Sequence, residues 1–165
     1  MVFSPQYSNI VVEQTTIFLL DKSIILWYNI VVKRKGVTNM KRIYIASDMF
    51  STYRKGLINR LASCLRRQGR EVYVPHEHEI EGGWSMPNRE WGKRVFEEDV
   101  KALDWCDTVI YFCEGMTGDI GSAWECGYAY AKGKKIYIQY LGSKDDKISL
   151  MVANSATIVP TMYQS

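Results

Sequence analysis

Histidine, proline and cysteine are all scarce, at two, four and four residues in a chain of 165. His76 and His78 stand alone as histidines, and Cys64, Cys106, Cys113 and Cys126 show no Cys-x-x-C spacing, so no familiar metal frame is present. Three of the cysteines lie in apolar runs, which reads as buried, reduced thiols in a cytoplasmic protein rather than a disulfide scaffold. An excess of one charge is missing too. The 21 basic and 18 acidic residues leave +3, too little to argue for nucleic acid as a partner. No long apolar run is uninterrupted either. Within residues 10–32, Glu13, Asp21 and Lys22 break the stretch and leave ten charge-free residues, Ser23–Val32. A bilayer needs roughly 20. No basic segment precedes that stretch and no small-residue cleavage site ends it, so it does not read as a signal peptide.

What is present is one domain's worth of chain, 47% hydrophobic, without internal repeat or low-complexity segment. Its two parts read differently. Residues 1–39 carry two of the three excess positive charges (Lys22, Lys33, Arg34 and Lys35 against Glu13 and Asp21). Met40 then leads straight into Lys-Arg-Ile-Tyr-Ile-Ala-Ser, an opening strand. We expect Met40 to be the natural start and residues 1–39 an upstream extension of the reading frame. An added β-hairpin or partner-binding arm and a membrane anchor are the alternatives.

From residue 40 to 165, β-rich runs alternate with helix-like stretches. Strands are expected at 42–47, 71–75, 108–113 and 135–141, with a short fifth at 157–160. Helices are expected at 52–68, 88–105 and 120–132, with a weaker one at 145–154. Gly69 and Gly133 stand where helices stop. This alternation predicts an α/β fold, a doubly wound, flavodoxin-like open parallel sheet of about five strands with helices on both faces. Ligands of such sheets bind beyond the carboxyl ends of the strands.

Two carboxylates are out of place. In the helix at 88–105, Val95, Phe96, Val100, Ala102 and Leu103 share one arc, and Asp99 falls inside it, whereas Glu97, Lys101 and Asp104 lie opposite. Such an Asp needs a partner, either a ligand or the amides of a neighbouring loop. The segment 118–133, GDIGSAWECGYAYAKG, is apolar or small almost throughout, as in a helix buried on all sides. Asp119 suits its N-cap. Glu125 is its only internal acid, flanked by Gly121 and Gly127, and reads as a site residue or as the ion-pair partner of Lys132 or a distant Arg.

The run Asp119–Ala129, D-x-G-S-A-W-E-x-G-Y-A, closely resembles the signature of the nucleoside 2-deoxyribosyltransferase family. Ile-Tyr-Ile-Ala-Ser at 43–47 with Phe50, Tyr-Val-Pro at 73–75 and the acidic stretch 97–107 extend the resemblance over 41–156. It implies transfer of 2-deoxyribose between nucleobases through a covalent glycosyl ester, by the double displacement of retaining glycosidases. It implies Glu125 as nucleophile and Tyr44 as the residue that positions it. Asp99 would orient the sugar, and Asp119 would give a proton to the departing base as an acid of raised pKa. Ser47, Phe50 and Gly121 are the expected substrate contacts, although Ser47 also reads as a plain turn residue. Asn154 resembles the asparagine that reaches across a subunit interface, which would make the protein a homo-oligomer, at least a dimer.

The expected partners are therefore a deoxynucleoside and a free nucleobase, with no metal or organic cofactor, no nucleic acid and no membrane. His76, Glu77, His78 and Glu79 depart from the residues the family places near the base. They read as solvated loop or base-reading residues, with metal ligation the weakest reading. The loop 79–88, with Gly82, Gly83, Trp84 and Pro87, suggests a lid on which Trp84 or Trp91 stacks on a base; burial of either in the core reads equally well. Two other functions fit the same frame. One is hydrolysis of 2′-deoxynucleoside 5′-monophosphates, for which Ser47 and Ser155 could face the phosphate. The other is a non-catalytic nucleotide sensor.

Overall fold

A computed structural model describes residues 40–48, 52–113, 119–141 and 148–159. The N-terminal extension proposed for residues 1–39 lies outside the described residues, as does Phe50. Met40 lies within them and packs into the core at 2% exposure.

The elements run β1 (Arg42–Ala46), α1 (Thr52–Arg67), β2 (Glu71–Tyr73), α2 (Asn88–Trp105), β3 (Thr108–Cys113), α3 (Ile120–Ala131), β4 (Lys135–Tyr140), α4 (Leu150–Asn154) and β5 (Thr157–Val159). All five strands are parallel, in the order β2-β1-β3-β4-β5. The expected doubly wound sheet is therefore the observed one. The chain leaves β1 toward β2 on one side and returns to β3 on the other, so the topological switch lies between β1 and β3.

Strand alternation splits the core in two. Ile43 and Ile45 face α1, joining Leu57, Ile58, Leu61, Leu65, Val72 and Phe112. Tyr44 and Ala46 point the other way, toward Leu103 of α2 and Cys126 and Ala129 of α3, with Val109, Tyr111 and Ile138. Cys106, Cys113 and Cys126 are buried free thiols, and Cys64 is half-buried. Gly69 and Gly133 take φ of +78° and +68° after α1 and α3, a conformation that other residues enter only with strain. Asp107 ties the sheet's lower edge together, its Oδ2 accepting from the backbone N–H of Lys41 and Arg42 at 3.2 and 3.0 Å. Lys134 donates to the carbonyls of Asp104 and Cys106 at 2.8 and 2.7 Å, putting a cation at the negative end of α2.

Three expectations are corrected. First, β2 stops at Tyr73, because Pro75 has no N–H for a ladder and opens a 3₁₀ turn at Pro75–Glu77. Second, α3 is not buried on all sides. Ser122, Cys126 and Ala129 are buried, while Ile120, Trp124 and Tyr130 stand exposed. The helix covers the sheet with one stripe and turns a second apolar stripe outward. Third, α2 buries only Ala102 and Leu103, while Val95 of the same arc lines an open cavity and Phe96 is exposed. Of the helix expected at 145–154, the described part is Leu150–Asn154, and residues 142–147 lie outside the described residues. Among the described residues, no helix is long and apolar enough to cross a membrane.

Candidate active site

At the carboxyl ends of β1 and β2, a cavity of about 700 Å³ opens between α2 and α3. Each chemical group in it is placed by an element whose sequence explains its position. Glu125 projects from the second turn of α3. Asp99 comes from the inward arc of α2. Asp119 sits at the N-cap of α3, where its Oδ2 accepts from the backbone N–H and the hydroxyl of Ser122 at 2.7 and 2.8 Å. Ser47, just past β1, lines the same cavity.

Tyr44 is fully buried on β1, and its hydroxyl donates to Glu125 Oε1 at 2.7 Å. Burial pushes the Glu125 carboxyl up to about 8; the Tyr44 bond opposes that rise, and the nearby charges of Asp99 and Asp119 add to it. Asp99 is pushed up to about 6, again mainly by burial, with bonds from Tyr73 and Tyr44 opposing and Glu98 adding. Burial and the neighbouring carboxylates hold the protons of Tyr44 and Tyr73 far above the ordinary phenol range. The groups held protonated toward neutral pH are thus Glu125 and Asp99.

The cavity brings together Glu125, Asp119, Asp99 and Ser47. Tyr44 reaches it through Glu125. Gly121 does not line it: a Cβ there would come within 3.1 Å of Asp119 Oδ2, so the glycine leaves room for that carboxylate. Ser47 donates to the Asp48 carbonyl at 3.1 Å, a turn contact made at the cavity wall. Asn154 lies apart on exposed α4, where its Nδ2 donates to the Leu150 carbonyl at 2.8 Å. Lys132 pairs with Asp104 at 2.9 Å and leaves Glu125 to Tyr44.

The two histidines separate. The His76 ring bonds Asn59 at 2.9 Å, and His78 stacks on Tyr73 with ring centroids 4.0 Å apart. Trp84 and Trp91 both line the cavity and neither is buried; Trp84, in the 3₁₀ turn Gly83–Ser85, is 101% exposed. Two features escape a reading of the sequence. Tyr73 donates to Asp99 Oδ1 at 3.4 Å. Arg54, 5% exposed, pairs with Asp48 on the cavity wall. The strand register of Tyr73 with Tyr44 would have flagged the first; an Arg at a helix start carries no such signal.

Six carboxylates (Asp48, Glu79, Glu98, Asp99, Asp119 and Glu125) line the cavity, and no Lys or Arg does so among the described residues. Asp48 is paired with Arg54 and Glu98 with Lys101, and burial holds Glu125 and Asp99 toward their acid forms, so the wall is acidic in composition and its described residues offer no cation to an anionic ligand.

The family model for nucleoside 2-deoxyribosyltransferases matches residues 43–162. Among solved structures, the chain is similar to the 2-deoxyribosyltransferase of the psychrotolerant bacterium Bacillus psychrosaccharolyticus, at 28% identity and a TM-score of 0.59. That match covers 69% of this chain and 81% of the other. A conserved protein from Enterococcus faecalis V583 shares the fold at 19% identity and a TM-score of 0.58, over 73% of this chain and 91% of the other. A CMP N-glycosidase from Clostridium botulinum is matched at 23% identity and a TM-score of 0.48, over 73% of this chain and 87% of that one. No curated protein matches the chain.

Proposed function

The chain belongs to the nucleoside 2-deoxyribosyltransferase family, and from that premise we propose how its cavity carries out the transfer of 2-deoxyribose between nucleobases. The observation that carries the reading is Glu125, half-buried at the cavity wall with the Tyr44 hydroxyl on its Oε1.

Glu125, once ionised, attacks C1′ of a bound deoxynucleoside. The C1′–N bond breaks with its electron pair going to the base, and an ester joins C1′ to the Glu125 carboxylate. The leaving nitrogen takes a proton, for which Asp119 is the candidate donor. An incoming base then attacks C1′ and gives its N–H proton to Asp119, and Glu125 departs as the carboxylate. Two inversions leave the configuration at C1′ unchanged. Asp99 accepts a bond from the sugar and orients it. No step calls for a metal or organic cofactor.

With no Lys or Arg among the described residues that line the cavity, an uncharged deoxynucleoside is favoured over its 5′-monophosphate, and transfer over the hydrolytic reading. A sensor would have no use for a nucleophile held by a buried tyrosine. We assign the enzyme to purine or pyrimidine salvage in the cytoplasm, as a homo-oligomer of at least two chains in which Asn154 completes the neighbour's site.

The test is to trap the ester with a 2-fluoro-2-deoxy nucleoside and map the added mass. A modified Glu125, with base exchange between deoxyinosine and adenine, is the expected result. An adduct on another residue overturns the mechanism, and turnover of deoxynucleoside monophosphate alone overturns the transferase reading.

A further inference from the structure

Tyr44 and Tyr73 are register partners on adjacent parallel strands β1 and β2. Their rings stack at 5.5 Å and 12°, and His78 stacks on Tyr73 at 4.0 Å and 4°. Three rings thus form one pile from the buried end of Glu125's partner to the cavity rim. Each tyrosine hydroxyl in the pile meets one carboxylate: Tyr44 donates to Glu125 at 2.7 Å and Tyr73 to Asp99 at 3.4 Å.

A hydroxyl has a single proton to donate. Tyr44 also stands within bonding reach of Asp99, but its short bond commits its proton to Glu125. Asp99 then depends on Tyr73. That ring is gripped between Tyr44 and His78, which fixes where its hydroxyl lies. Long contacts of this kind in an unliganded site tighten when substrate fills it.

We infer that Tyr73, clamped by His78, is a positioning residue that holds the Asp99 carboxylate as a hydrogen-bond acceptor for the sugar of the bound deoxynucleoside. The inference rests on the reading of the cavity as a deoxyribosyl-transfer site. Asp99 is faced by Tyr73 from β2, His78 from the turn beyond it, Tyr44 from β1 and Glu125 from α3, with Glu98 beside it on α2. Of these, Tyr73 supplies the donor to Asp99 that opposes protonation, the Tyr44 proton being committed to Glu125. Removing the Tyr73 hydroxyl must therefore raise the pH at which Asp99 gains its proton.

The experiment measures deoxyinosine binding against pH by tryptophan fluorescence in Glu125→Gln, which removes the nucleophile's own titration. Affinity in this parent is expected to fall as pH drops through about 6. Adding Tyr73→Phe, which keeps the stacked ring, moves that break upward by on the order of one pH unit. Adding His78→Ala instead moves it the same way by less. A break that stays in place in both, or an affinity lowered equally at every pH, overturns the inference. Base exchange by the unaltered enzyme is assayed alongside. If it fails, the transferase reading falls; if it succeeds while the break stays in place, only the role of Tyr73 falls.

Discussion

The hydroxyl of Tyr44, on a strand in the core, donates to Oε1 of Glu125, on a helix 81 positions further along the chain, at 2.7 Å. The bond opposes the rise that burial imposes on Glu125, whose carboxyl nevertheless reaches about 8. Near neutral pH the proposed nucleophile is therefore mostly in its acid form. The expected kcat/KM for base exchange rises with pH toward about 8. Tyr44→Phe deletes the opposing bond, so this break moves to higher pH, and the rate at pH 7 falls roughly ten- to hundredfold. A pH–rate profile of the two enzymes checks this; an unmoved break would show that the tyrosine does not control ionisation of Glu125.

The same burial makes the site a cost to the fold. Glu125 and Asp99 bind protons more tightly folded than unfolded, with carboxyls at about 8 and about 6. The native state thus holds the extra protons. Their stabilising contribution is complete below the unfolded carboxylate range and is lost as pH rises toward 6 for Asp99 and 8 for Glu125. Glu125→Gln removes the larger part. At pH 8 it is expected to be more stable than the parent by on the order of 2–4 kcal/mol, and at pH 4 nearly equal to it. Thermal melts at the two pH values decide. A Glu125→Gln enzyme no more stable at pH 8 would mean that the carboxyl is not strained in the folded state.

Most of the frame was legible because its signals are local. Apolar β-rich runs and the stops at Gly69 and Gly133 depend on a few neighbours, and so does the N-cap at Asp119. What sequence reading missed depends on contacts across the sheet. The pairing of Tyr73 with Tyr44 follows from strand register, which a single sequence does not encode. Arg54 looks like any cation in a helix's first turn until Asp48 is found beside it. The outward stripe of α3 misled for another reason: apolar residues awaiting a partner have the same pattern as apolar residues in a core.

Capping and proton transfer at Asp119 can be separated. Asparagine is as good an N-cap as aspartate, so Asp119→Asn keeps an acceptor for the Ser122 N–H and should melt within about a degree or two of the parent. It cannot carry a proton, and kcat should fall roughly 10²–10⁴-fold. The loss should shrink for substrates whose bases leave readily without protonation. An equal loss across bases of differing acidity would assign Asp119 to binding alone.

The outward stripe of α3 bears on assembly. Trp124 touches Phe96 of α2 with ring centroids 5.4 Å apart, and Ile120, Tyr130, Leu150 and Met151 are also exposed. In the homo-oligomer proposed above, this exposed apolar surface on neighbouring helices is the expected interface, and Asn154 lies on the same α4 as Leu150 and Met151. Light scattering is expected to find the unaltered protein as at least a dimer and Trp124→Glu as a monomer; a monomeric unaltered protein would overturn the proposed assembly. Mixing two inactive variants tests the shared site more sharply. Asn154→Ala chains keep Glu125, and Glu125→Ala chains keep Asn154. In a mixed dimer one site receives Glu125 from the first chain and Asn154 from the second, while the other site has neither. Random exchange of chains should then restore about a quarter of the unaltered activity. No recovery after proven exchange would place Asn154 outside the neighbour's site.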